Sequence, residues 1–461
     1  MLTASLARRG EIIKDMGFFV AAGDCHTAWH DTHHISVIDK AVRRVCDAVR
    51  MMLATVLCCA MIVSLTACSQ FGSEYTDNVN NSQTIDSAVG TVTSPTLRPN
   101  IHDDLVRIAV PAPIDANLAH ARHAVAAMNL EEQVGQLIMA PLFAGTDPST
   151  LHDVIAGQYI GSVLIIGNWT GGVASVRAAT DVLQSYTPTQ HRLLIATDQE
   201  GGLVQHLKGP GFDRIPSAVV QGTMTPDALR ASAKVWGNQL AAAGIGIDLA
   251  PVAGTVTVDR ASNAPIGALN RDFGLDANGN ADHAIAFVEG MRDSGVGASV
   301  KHYPGLGAVT GNTDFTTDGI LDVTTTANGP EISVFTQVIH ESEPAMVMMS
   351  LATYQQIDST TPAVFSPTII NGLLRTETGY DGVVTSDSLS AAALGGIAPD
   401  QLGVRLIEAG GDLACIGDNS YVQPIIEGLL ARARTDESFA RRVRQSAERV
   451  MTLKFRMGLA S

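Results

Sequence analysis

Charge is scarce in this chain, and positive charge scarcest. Lys and Arg number 30 against 46 Asp and Glu, giving a formal net charge of −16 with only 16% charged residues. This argues against a nucleic-acid partner, which needs a cationic face. Cysteine is nearly absent from the bulk of the chain. Cys25, Cys46, Cys58, Cys59 and Cys68 all lie in the first 68 residues, and only Cys415 follows. Neither a disulfide framework nor a zinc-ligand spacing results, and nothing elsewhere in the sequence calls for a metal or other cofactor. A Walker-type phosphate loop and a Ser-His nucleophile elbow are also missing. No internal repeat marks a solenoid. The apolar run from Met51 to Ala67 is about one turn short of the roughly 20 residues of a comfortable membrane span.

What the run has instead is the design of an export signal. Arg43, Arg44 and Arg50 precede it, and small residues close it. It ends Leu65-Thr66-Ala67-Cys68, which resembles the lipobox of bacterial lipoproteins. The resemblance implies lipidation of Cys68 and attachment to the extracytoplasmic face of the cell membrane. A plain signal peptide or a membrane anchor is the alternative reading. Residues 1–41 lie upstream of the basic flank and fit no signal design, which a start near Val42 would explain. Ser69 to about Asn100 is rich in Ser, Thr, Asn and Gly with no periodic apolar face, and reads as a flexible tether. The expected organisation is an upstream extension and signal segment over 1–67, a lipidated Cys and tether over 68–105, and a folded domain over 106–461.

Apolar residues make up 46% of the chain, enough for a sizeable core. Beyond residue 105, short apolar runs alternate with helical patterns. Strands are expected at 135–141, 161–167, 192–197, 244–252, 298–302, 345–351, 382–386 and 411–416. Continuous apolar runs of this kind suit strands buried on both faces of a parallel sheet. Leu229, Ala233, Trp236 and Leu240 fall at helical spacing, with Gly244 as the stop. Phe439, Val443, Val450 and Leu453 mark a last helix, with Gly458 beyond it. Eight strands alternating with helices over about 350 residues predict an α/β fold, a (β/α)8 TIM-type barrel. A doubly wound open sheet is the competing architecture.

A barrel places its chemistry just past the C-terminal ends of its strands. Polar residues gather there. The third run ends in Asp198-Gln199-Glu200-Gly201-Gly202, the fifth in Lys301-His302, the seventh in Asp387-Ser388, the eighth near Asp418, and Arg271 lies in the connection after the fourth. Any one of these suits a helix cap or a surface ion pair. Together, carboxylates ringed by Lys, His and Arg suit a polyhydroxylated ligand. Cleaving a glycosidic bond needs one carboxylate at the anomeric centre and a second group to protonate the leaving oxygen.

Asp-Gln-Glu-Gly-Gly at 198–202, Arg-Asp-Phe-Gly at 271–274, Lys-His-Tyr-Pro-Gly at 301–305 and Gly-Val-Val-Thr-Ser-Asp at 382–387 resemble glycoside hydrolase family 3. The resemblance runs from about Asn129 to Leu459 and points to its single-domain β-N-acetylglucosaminidase branch. It implies Asp387 as a catalytic nucleophile, retention at the anomeric carbon, and Asp198, Arg271, Lys301 and His302 as substrate-binding residues; His206 is counted with them although it departs from the family pattern. The implied partner is a carbohydrate, an amino sugar of the peptidoglycan type. His302 has a second reading as a core-packed imidazole.

Departures cluster at the same place. Leu203 and His206 stand where the family usually has arginines. Leu306 and Leu351 replace histidines, and Gly254 replaces an Asp. The branch carries Asp-Ser-His on a mobile acid/base loop; counting from Lys301, this chain has Asn312-Thr313-Asp314. Asp314 thus occupies the proton-donor position. An unperturbed Asp titrates near ~3.9 and would need burial or a neighbouring carboxylate to hold a proton at neutral pH. Two readings follow: an exported glycosidase using Asp387 and Asp314, or a family member that has lost turnover and binds glycan or a protein. A solute-binding lipoprotein of a transport system is a third, opposed by the strand-end motifs.

Overall fold

The computed structural model describes residues 115–461. The signal segment, Cys68 and the tether lie outside the described residues, as do residues 106–114. Eight parallel strands run in chain order: β1 (Ile138–Phe143), β2 (Ser162–Ile166), β3 (Leu194–Thr197), β4 (Ile247–Asp248), β5 (Gly297–Tyr303), β6 (Met346–Met349), β7 (Val383–Ser386) and β8 (Ala414–Cys415). Each pairs with its chain neighbour, and β8 pairs with β1 through Ile138 and Ala414. A parallel bridge between Thr385 and Leu413 joins β7 to β8 and closes the cylinder. Closure eliminates the open doubly wound sheet.

The helices follow the strands: α1 (Ala116–Ala127) and α2 (Leu130–Gln136) precede β1. Then α3 (His152–Gln158), α4 (Gly172–Gln184), α5 (Pro226–Ala242), α6 (Ala277–Asp293) and α7 (Pro330–Ser342) follow β1 to β5. A π-helical segment (Thr368–Glu377) follows β6, α8 (Pro399–Ala409) follows β7, and α9 (Val422–Thr435) and α10 (Glu437–Arg456) follow β8. Among the described residues, no helix is long and apolar enough to cross a membrane.

The period-two alternation of a strand explains why the apolar runs are continuous. Met139, Leu164, Leu194, Ala196, Met346 and Met348 fill the inside of the barrel. Their neighbours Ile138, Ala140, Val163, Ile195 and Val347 face outward into the layer shared with the helices. The expected helical positions Leu229, Ala233, Trp236 and Leu240 are all buried on α5, and Gly244 just beyond it adopts φ +81°. Val450 and Leu453 of α10 join the inner cluster, so the last helix plugs the N-terminal end of the barrel.

The first strand needs correction. It begins at Ile138 rather than 135, because a capping box starts a helix upstream. The Asn129 side chain accepts the Glu132 N–H and the Glu132 carboxylate accepts the Asn129 N–H, each at 2.8 Å. Gly135 belongs to that helix, where a Cβ would sit 2.3 Å from the Tyr159 carbonyl oxygen. The fourth strand is two residues long, not nine, and its pairing with β5 resumes only as a parallel bridge from Val252 to Lys301.

Lys454 is fully buried in the plug, and its Nζ donates to Gln136 Oε1 at 2.7 Å. Burial pushes its ammonium down to about 7. A base with a folded pKa below its unfolded one is more stable as pH rises from that value towards 10.5. The double variant Lys454→Met with Gln136→Leu should therefore raise the melting temperature at pH 6, by about 2–4 kcal/mol of stability. The gain should shrink towards pH 10, as followed by thermal unfolding across that range.

Candidate active site

The mouth of the barrel is organised by buried charges. After β3 the chain makes a short antiparallel hairpin, Gln199–Gly201 with Val204–Gln205. Gly201 has φ +102°, and a Cβ there would meet the Pro216 carbonyl oxygen at 2.3 Å, so only glycine fits the turn. The Gln199 side chain bonds both polar backbone atoms of Leu207, at 2.9 and 3.0 Å, holding the hairpin over the strand ends. Asp198 and Glu200 lie two residues apart and so share one face.

Lys301, on β5, reaches both of them. Its Nζ lies 2.5 Å from Asp198 Oδ1 and 2.6 Å from Glu200 Oε1, with the Lys side chain 1% exposed. Arg271 grips Glu200 with two parallel bonds, Nε to Oε2 at 3.0 Å and Nη2 to Oε1 at 2.8 Å, and Nη1 donates to the Pro265 carbonyl at 2.9 Å. Burial opposes ionisation of Glu200, but the Arg271 and Lys301 cations outweigh it and hold the carboxyl below its ordinary value. Burial likewise works against both cations, and the facing carboxylates hold them above their ordinary values. Lys301 has one N–H left over and Arg271 two, enough to donate to ligand hydroxyls.

Asp387 follows β7 directly. Its N–H donates to the Met349 carbonyl at 3.1 Å, and its Oδ1 accepts the Ser388 N–H at 2.8 Å. His302 Nε2 lies 3.8 Å from Asp387 Oδ2, and its buried Nδ1 has no partner. Burial, reinforced by the nearby Arg271 and Lys301 charges, keeps this imidazole neutral. Burial, and next the negative charge of Asp314, push Asp387 up to about 7. Asp314 is raised in turn, by burial first.

Asp314 reaches that position through its loop. The Ala392 and Ala393 N–H groups, just beyond β7, donate to the Asp314 and Thr313 carbonyls at 3.4 and 3.0 Å. Asn312 Oδ1 accepts the Asp314 N–H at 2.9 Å, so the amide shapes the turn. His206 stands beside this group: its Nε2 is 3.8 Å from Asp198 Oδ2, and its Nδ1 lies 2.9 Å from the Gly167 carbonyl. Asp418 is not part of the cluster; it caps the turn Asn419–Tyr421 by accepting the Ser420 N–H. Among the described residues, no group of three or more His, Cys, Asp or Glu has metal-holding geometry.

Two members of the site do not stand out in the sequence. Glu200 is one, although the step of two from Asp198 was the available signal. Asp248 is the other: the last residue of β4, fully buried, it accepts the Gln199 N–H at 2.9 Å. Burial pushes its carboxyl up to about 8. The replaced positions divide into two kinds. Leu306 and Leu351 are buried in the outer apolar layer, and a Cβ at Gly254 would lie 3.6 Å from Gly305. Leu203, at the hairpin tip, is 75% exposed.

Comparison with known proteins bears on this arrangement. The family model described as glycosyl hydrolase family 3 N terminal domain matches residues 129–453. Beta-hexosaminidase LpqI of Mycobacterium tuberculosis is 30% identical over 361 residues, covering 75% of this chain and 88% of that protein. The crystal structure of the Beta-N-acetylhexosaminidase from Beutenbergia cavernae is 42% identical and superposes with a TM-score of 0.69, covering 72% of this chain and 99% of that one. A family 3 beta-N-acetylglucosaminidase from Paenibacillus is 26% identical, with a TM-score of 0.63, over 72% of this chain and 63% of its own.

Glu200→Gln should break the charge balance between two buried cations. The expected cost is about 3–5 kcal/mol of stability, read by chemical denaturation, because Arg271 then loses its carboxylate partner.

Proposed function

The chain belongs to glycosyl hydrolase family 3, and from that premise we propose that it hydrolyses β-N-acetylhexosaminides of the cell-wall type with retention at the anomeric carbon. The carrying observation is a pair of buried carboxyl groups at one mouth, Asp387 raised by burial and by the charge of Asp314, and Asp314 raised by burial, beside Lys301 and Arg271 with donors to spare. The named activities of the relatives support the substrate class.

In this reading Lys301, Arg271 and Asp198 hold the sugar hydroxyls, with His206 and the neutral His302 beside them. Ionised Asp387 attacks the anomeric carbon, forming a covalent ester to the sugar. Asp314 gives its proton to the glycosidic oxygen as that bond breaks. Its carboxylate then takes a proton from the water that cleaves the ester, and Asp387 is released. Because the charge of Asp314 raises Asp387, the two titrate in linked steps, and the form that reacts is the one with Asp387 ionised and the proton on Asp314.

Hydrolysis of nitrophenyl β-N-acetylglucosaminide is the test. Asp387→Ala should abolish it. Asp314→Ala should cost roughly 10²–10⁴-fold on substrates with poor leaving groups and little on the nitrophenyl one. The kcat/KM profile should be bell-shaped, rising as the pair loses its first proton and falling as it loses the second. Asp314→Asn removes the proton donor and should abolish the falling limb, leaving a profile that rises with ionisation of Asp387 and then stays flat. Sugar binding without hydrolysis by the unaltered protein would favour the non-catalytic reading.

We also propose that the protein is exported and lipid-anchored at Cys68. Support comes from the sequence Leu65-Thr66-Ala67-Cys68 at the end of the apolar run, with Arg43, Arg44 and Arg50 before it. Expressed in a bacterial host, Cys68→Ala should shift the protein out of the detergent-extractable membrane fraction. An unchanged distribution would sink the anchor.

A further inference from the structure

The connection carrying Arg271 and the loop carrying Asp314 meet at one side chain. Asn263 is fully buried. Its Oδ1 accepts the Gly267 N–H at 2.6 Å, and its Nδ2 donates to the Leu306 carbonyl at 2.8 Å and the Val309 carbonyl at 2.6 Å. Both donors of the amide and one lone pair of its oxygen are therefore engaged.

Each partner leads directly to the site. Gly267 opens the single turn Gly267–Leu269, and the Asn263 carbonyl accepts the Ala268 N–H at 3.0 Å. The Ile266 carbonyl before that turn accepts the Arg271 N–H at 3.1 Å, which sets where the guanidinium starts. On the other side, Leu306 and Val309 begin the loop that ends in Asn312-Thr313-Asp314. Between them, the Gly307 carbonyl accepts the Thr257 N–H at 3.0 Å, and a Cβ at Gly307 would sit 1.6 Å from the Thr255 carbonyl oxygen. The loop is thus pinned at its start by Asn263 and at its end by Ala392 and Ala393.

We propose that Asn263 is a positioning residue that couples sugar grip at Arg271 to proton delivery at Asp314; this rests on the glycosidase reading above. An amide suits the task because the position must donate twice to carbonyls and accept once. Aspartate there would face two carbonyl oxygens with a buried negative charge, and alanine would strand all three backbone groups.

The experiment uses Asn263→Ser and Asn263→Ala beside the unaltered protein. Two β-N-acetylglucosaminides are compared, one nitrophenyl and one alkyl. Because only the alkyl leaving group needs a well-placed proton, its kcat/KM should fall roughly 10-fold further than that of the nitrophenyl substrate. An equal loss on both, or none, overturns the proposal. A second measurement needs no variant. Binding of N-acetylglucosamine should slow amide hydrogen exchange across 306–314 in the unaltered protein, and Asn263→Ser should weaken that protection while still binding sugar. Sugar binding that leaves exchange at 306–314 unmoved overturns the coupling alone. Neither binding nor hydrolysis by the unaltered protein overturns the glycosidase reading and the coupling together.

Discussion

One buried arrangement of charge holds the mouth of this barrel: Lys301 between Asp198 and Glu200, with Arg271 closing on Glu200 from the far side. Two cations and two anions are taken largely out of water within a few ångströms of each other. Such a group is stable only when each charge keeps its partner, because an unpaired buried charge costs several kcal/mol. The network therefore fixes the hairpin after β3, the tip of β5 and the long connection after β4 relative to one another. Lys301 and Arg271 each keep N–H groups beyond those engaged by Asp198, Glu200 and the Pro265 carbonyl.

That fixed cationic side gives the two carboxyl groups opposite it their distinct behaviour. Asp387 feels Lys301 and Arg271, yet burial and the negative charge of Asp314 act on it more strongly. A carboxylate pair in such a setting holds a proton that an isolated aspartate would release. On the proposed reading, with Asp314 as donor and Asp387 as nucleophile, an aspartate in place of the family's histidine does not by itself remove the acid, because burial raises it.

Apolar substitution around the acid loop fits the same picture. Leu306, Val309 and Ile320 are buried, so the base of the loop is held by packing and by Asn263. Leu203, where the family has a cation, instead projects from the hairpin tip.

The sequence alone determined the barrel and the places where chemistry gathers. Eight apolar runs must be buried on both faces, and polar residues at their C-terminal ends share one rim whatever the details. It also singled out Asp387, Lys301, His302 and Arg271, not one by one, since each alone suits a cap or an ion pair, but because they gather at or beyond the C-terminal ends of buried runs. It did not reveal Glu200, Asp248 or Asn263. Each of these is defined by partners between about 40 and 100 residues away, or by the loss of solvent, and neither is written in local spacing. The start of β1 was hidden for a related reason: a capping box and a close carbonyl at Gly135 favour a helix that apolar content alone reads as strand. Only the closed sheet decided that the charge of Asp314 acts on Asp387, since that depends on a loop after β5 docking against a turn after β7.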